Sequence, residues 1–180
     1  MENQNLRTNK TKILLSKSLL ELLETKDFYN IKVNEICNHA LVHKTTFYNH
    51  FNDKYDLLNY ILIEIYNGIK KEVNKNEGII EYYLSIAKSY IKLIKTNPKL
   101  FQSMIQTSSN DLSSFMIQEL YVKDVEDTIS QMNIPIPSNY VARFYVSAVY
   151  SVLNEWFIKG MIEDEDTIIK YIELLIRSEK

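Results

Sequence analysis

One pattern constrains this chain more than any other: apolar residues return every three or four positions, segment after segment. Between residues 8 and 24, Ile13, Leu14, Leu15, Leu19, Leu20, Leu22 and Leu23 fall on that spacing, with Lys10, Lys12 and Lys17 among them. A helix turns by about 100° per residue, so this spacing lines one face with groups that must be buried, whereas a half-buried strand needs strict alternation. The breakers that a strand-and-turn architecture demands are scarce, with three Gly and three Pro in 180 residues. The predicted fold class is therefore all-α.

The same reading continues along the chain. Phe28 and Ile31 supply anchors before Val33, Ile36, Cys37 and Ala40, about two turns of helix, and a second short segment runs over 43–50, with Phe47 four residues before Phe51. Asn52 or Asp53 can cap a longer helix carrying Leu57, Leu58, Ile61, Leu62, Ile65 and Ile69 to about Val73, with Asp56 near its positive end. Asn74, Lys75, Asn76 and Gly78 make a polar break. Helical spacing resumes over 77–95, 100–105 and 112–129, interrupted by Asn97-Pro98 and by the capping run Ser108-Ser109-Asn110-Asp111. Pro135 and Pro137 form a rigid connector, Ser138 or Asn139 opens a helix to about Lys159, Gly160 ends it, and a last helix carries Ile168, Ile169, Ile172, Leu175 and Ile176. About nine helices result, with no strand and no internal repeat.

Several function classes are excluded. No Gly-rich phosphate loop or nucleophile elbow is present, and no His follows His50 to serve as a base, so an enzyme is not expected. His39 and His43 are four apart but have a turn between them and no further ligand set nearby, so neither a metal nor another cofactor is expected. The single Cys37, on the apolar side of a short helix, reads as a small core residue, and Glu163 to Asp166 read as carboxylates favouring a helix start. The polar opening and the interruption of the most apolar stretches by Asn59, Glu64 and Arg143 argue against a membrane span and for a cytoplasmic protein. Net charge is −2, but residues 1–60 hold all three His and a slight excess of Lys and Arg.

Two short helices joined by a tight turn between longer ones outline a helix-turn-helix over about 33–51. Ile36, Ala40, Val42, Phe47 and Phe51 have the spacing to pack its two helices together, which turns Lys44, Thr45 and Thr46 outward in the first turn of the second. Lys can donate to guanine, and Thr offers a methyl to thymine and a hydroxyl to a base edge. The full string, Phe28-x-x-Ile31-x-Val33-x-Glu35-Ile36-x-x-x-Ala40-x-Val42-x-Lys44-x-Thr46-Phe47-Tyr48-x-His50-Phe51-x-Asp53-Lys54-x-x-Leu57-Leu58, resembles the signature of TetR/AcrR-type transcriptional regulators, and its second half is similar to the branch of dihydroxyacetone-kinase-type regulators. That resemblance implies a DNA-binding domain over 1–54 and a helical regulatory and dimerisation domain over 55–180. It also implies phosphate contacts from Tyr48, His50 and Lys54, with Lys32 and His43 at the flanks of the motif. Leu41 stands where relatives commonly carry Gly, and His43 where a Ser cap is common, so the turn has to accept an angle that Leu adopts at a cost.

The helix over 140–159 is apolar nearly all round, so one face can bury in its own subunit and the other in a partner, forming with the last helix a four-helix bundle across a two-fold axis. Tyr82, Tyr90, Phe101, Met104, Phe115, Tyr121, Tyr145 and Trp156 are candidates to line an aromatic effector pocket. The implied function is a repressor that binds a near-palindromic duplex operator as a homodimer and answers to a small-molecule effector. Two other readings stay open: a regulator of the same fold that works through a protein partner without an effector, and a helical interaction scaffold.

Overall fold

The computed structural model describes residues 2–70, 79–105, 112–131 and 134–177. Among these residues the only regular structure is helical: α1 (Glu2–Leu23), a 3₁₀ turn (Phe28–Asn30), α2 (Val33–His39), α3 (Lys44–Tyr48), α4 (Lys54–Lys70), α5 (Ile79–Thr96), α6 (Pro98–Ile105), α7 (Leu112–Ile129), α8 (Ser138–Ile158) and α9 (Glu165–Arg177). No helix among them is long and apolar enough to cross a membrane. The break at Asn74 to Gly78 and the caps at Ser108 to Asp111 lie outside the described residues.

The helices group into two compact units. The first comprises α1 to α3, the amino-terminal part of α4, and α6. Its interior is the apolar stripe read from the sequence: Leu15, Leu19 and Leu23 from α1, Ile36, Cys37, Ala40, Phe47 and Phe51 from the motif, and Leu57, Leu58, Ile61 and Leu62 from α4, all buried. Phe28 and Ile31, between α1 and α2 in the chain, are also buried, and Phe28 meets Tyr55 of α4 edge to face at 5.1 Å. The buried Ser18 hydroxyl donates to the Ile36 carbonyl at 2.8 Å and ties α1 to α2.

The second unit comprises the rest of α4 and most of α7, together with α5, α8 and α9. Ile86, Ala87, Ile91 and Ile94 of α5 are buried, as are Val141, Ala142, Val146, Val149 and Leu153 of α8 and Ile168 and Ile172 of α9. The Trp156 indole N–H donates to the Glu163 carbonyl at 2.9 Å, fixing the connection into α9.

Element ends differ from the sequence reading more than element identities do. The polar residues ahead of residue 8 extend α1 back to Glu2, because periodicity marks the buried part of a helix and not its end. Asp53, of the two candidates, caps α4, its Oδ1 accepting from the N–H groups of Tyr55 and Asp56 at 2.8 Å each. Asp164 caps α9 through the Thr167 N–H at 2.8 Å, which starts that helix at Glu165 and holds the Asp164 carboxyl below its ordinary range. For α8 the cap position is Pro137, without a side-chain bond, so Ser138 is already the first helical residue and neither Ser138 nor Asn139 is the cap.

Candidate nucleic-acid interface

The motif begins with a tie between backbone and side chain. Lys32 is extended at φ −101°, ψ 149°, and its N–H donates to Glu35 Oε2 at 2.9 Å, closing the first turn of α2. The Lys26 ammonium also donates to Glu35, and together, Lys26 first, they hold the Glu35 carboxyl below its ordinary range. Lys32 itself is exposed.

At the other end of α2 the chain reverses within two residues. The Leu41 N–H donates to the Asn38 carbonyl at 3.2 Å and the Val42 N–H to the Cys37 carbonyl at 2.9 Å, the paired bonds of a Schellman motif. That geometry puts Leu41 at φ 54°, as the sequence comparison required. His43 follows at φ −64°, ψ 141° as the N-cap of α3, and its imidazole makes no capping bond.

Helix α3 is a single platform of one and a half turns. Phe47 is fully buried and packs on Phe51 with ring centroids 5.7 Å apart, while Phe51 meets Tyr60 of α4 at 5.6 Å. With Phe47 pointing in, the exposed side chains of His43, Lys44, Thr45 and Tyr48 share the outer side with the half-buried Thr46 and His50. The Lys44 ammonium lies 5.9 Å from the Tyr48 ring centroid, so a cation and a phenol sit side by side. Such a pair suits a phosphate or a guanine edge, and neither group is committed to the core.

Lys54 has a different place. Its Nζ donates to the carbonyls of Phe28, Tyr29 and Ile31 at 2.8, 2.8 and 2.9 Å, and lies 4.8 Å from the Phe28 ring centroid. An ammonium has three N–H donors, and these bonds direct them at the 3₁₀ turn and the residue that closes it, Ile31. The geometry makes Lys54 a clasp for residues 28–31.

Two supporting residues were not marked by the sequence reading. Ser18 was legible in principle, as a polar residue on the apolar stripe between Leu15 and Leu22. Lys12, whose ammonium lies 4.9 Å from the Tyr60 ring centroid and 5.9 Å from that of Phe51, carried no signal that distinguishes it from other surface lysines.

In the second unit Tyr82, Tyr90 and Tyr121 are buried in one network. Tyr90 meets Tyr121 and Tyr150 edge to face at 5.3 and 5.8 Å, the Tyr121 hydroxyl shares a hydrogen bond of 3.2 Å with Ser89, and the Tyr82 hydroxyl donates to Thr128 at 3.1 Å. Burial pushes the Tyr82 phenol up to about 12, against the opposing effect of Thr128. Tyr145 stacks on Tyr83 at 4.0 Å. Trp156 is occupied with Glu163, Phe101 belongs to the first unit, and the side chains of Met104 and Phe115 lie outside the described ones. A hollow of about 500 Å³ between α5 and α9 is lined by Lys88, Ser89, Lys92, Lys95, Glu165 and Ile169 among others, and includes none of the eight candidate pocket residues.

Comparison with known proteins agrees with this geometry. Residues 17–61 match the model described as bacterial regulatory proteins, tetR family, and residues 81–178 match TetR_C_8, described as a transcriptional regulator C-terminal region. The chain is 20% identical over 155 residues to the HTH-type dhaKLM operon transcriptional activator DhaS of Lactococcus lactis, a span of 83% of this chain and 81% of that one. A crystal structure from Syntrophomonas wolfei assigned to the TetR family superposes with a TM-score of 0.70 at 18% identity, covering 96% of this chain and 97% of the other. NalD of Pseudomonas aeruginosa, the secondary repressor of the MexAB-OprM multidrug efflux pump, superposes with a TM-score of 0.68 at 15% identity, covering 95% and 96%. At these identities the superpositions speak for the fold.

Proposed function

Because the chain belongs to the TetR family of transcriptional regulators, which are DNA-binding proteins and not enzymes, we propose that it is a ligand-responsive repressor binding a near-palindromic operator as a homodimer. One observation carries the reading: α3 offers Lys44, Thr45 and Tyr48 outward from a scaffold whose inward side chains, Ile36 and Phe47, are fully buried. A rigid short helix with a cation and hydroxyls in its first turn is what base-edge readout requires. Residues 1–54 are the DNA-binding part and 55–180 the regulatory and dimerising part. Lys32, His43, Tyr48 and His50 serve the phosphates beside the bases addressed by Lys44, Thr45 and Thr46, and Lys54 supports them from behind.

The partner copy is supported by α8 and α9. Tyr140, Phe144 and Ile158 lie along the outer side of α8, and Tyr171, Leu174 and Leu175 along that of α9, all exposed in the single chain. Large apolar groups repeated on two helices call for a cover, and two such pairs make a four-helix bundle.

The buried tyrosine network of the second unit is the proposed effector region. Its rings fill their own interior, and this closure also favours a second reading, in which a protein partner replaces the small effector. Selection of bound duplexes from a random pool tests the function: one near-palindrome whose half-sites lie about a helical turn apart is expected, and no enrichment would refute it.

A further inference from the structure

We infer that Leu41 is a DNA-contact residue, its isobutyl group seated against apolar surface of the duplex, either a thymine methyl or a deoxyribose edge, next to the bases that α3 addresses. This rests on the chain binding DNA through α2 and α3. Two costs meet at this position. Leu41 sits at φ 54°, where the Cβ of an L-residue is crowded by the following carbonyl oxygen. Its side chain is also 93% exposed, the most exposed large apolar group among the described residues.

The turn explains the angle but not the leucine. The chain closes α8 with the same pair of bonds, the Gly160 N–H to the Phe157 carbonyl and the Met161 N–H to the Trp156 carbonyl, each 2.9 Å. There the place equivalent to Leu41 is held by Gly160, at φ 83°. Strain of this kind is found where something compensates for it, often at functional sites. The two backbone bonds of the turn hold the angle, but a side chain so exposed gains little from contacts within the protein.

The position indicates what can. Leu41 is two residues ahead of His43, the cap of α3, and the amino-terminal end of the second motif helix is the end that enters the major groove. The groove presents the thymine C5-methyl, and its walls carry deoxyribose C–H groups. Covering the isobutyl group against either removes apolar surface from water only in the complex.

The test uses the full chain and the duplex that wild type selects. Leu41→Gly and Leu41→Asn both accept the left-handed angle and lack the isobutyl group, whereas Leu41→Met keeps an apolar side chain. The first two should raise Tm by about 3 °C and weaken operator binding by about tenfold, with Leu41→Met close to wild type in affinity. Thymine-to-deoxyuridine replacement then separates the two surfaces. A thymine whose methyl matters to wild type but not to Leu41→Gly identifies the methyl, and a deficit that persists at every thymine identifies the sugar edge. Leu41→Gly and Leu41→Asn binding as tightly as wild type would overturn the contact, and an unchanged Tm would remove the strain on which it rests. Failure of wild type to select any duplex would instead strike at the DNA-binding reading itself.

Discussion

Lys54 turns its half-buried ammonium to the backbone of the same chain. Three carbonyls of residues 28–31 converge on its ammonium, and the segment they belong to carries the buried Phe28 and Ile31. Lys54→Met keeps the aliphatic stem and removes the donors, so it should destabilise the fold by about 2–3 kcal/mol, read from the urea midpoint. Lys54→Arg should recover little, because a planar guanidinium does not reach three acceptors arranged around a point. Wild-type stability with lost DNA affinity would show instead that the ammonium faces phosphate. Position 54 was legible in the sequence as a place for a cation, but the ring of carbonyls was not, since a lysine is equally good chemistry for a phosphate and for such a ring. Leu41 is the opposite case: its positive φ was legible from the resemblance, because relatives commonly carry Gly at that place in the turn.

Helix α3 has five residues, too few to hold a helix unaided. It stands because Phe47 is buried and because its ends are closed by the turns before and after it. The start is the weak end, since His43 contributes no side-chain bond while Asp53 and Asp164 cap α4 and α9. His43→Ser should therefore stabilise the protein by about 1 kcal/mol in thermal unfolding, provided that the serine hydroxyl reaches the open N–H groups of the first turn. A loss of stability would show that the imidazole packs to more effect than its exposure suggests. Helix existence was legible throughout because burial writes itself into spacing. Helix ends were less so, because they depend on single capping bonds; Asp53 was one of two equal candidates, and α8 opens at Ser138 with Pro137, which makes no side-chain bond, at the cap position.

For the whole molecule, a net charge of −2 gives no general attraction to nucleic acid, so binding has to come from a local face used twice. The apolar run of α8 announced two faces to be covered, and the structure divides them: Val141, Val146, Val149 and Leu153 are inside, while Tyr140 and Phe144 are outside. Phe144→Glu combined with Leu174→Glu should convert a dimer to a folded monomer in sedimentation velocity and reduce operator affinity with it, because two half-sites are then no longer bound together. A dimer that survives both changes would place the interface elsewhere. The tyrosines were the least legible feature, since rings that line a pocket and rings that pack on one another follow the same spacing. The most direct single measurement is the affinity of wild type and Lys44→Ala for the selected duplex across a range of salt. A DNA-reading α3 predicts a steep fall with salt for wild type and a loss of about tenfold or more for Lys44→Ala; affinity indifferent to both would contradict it.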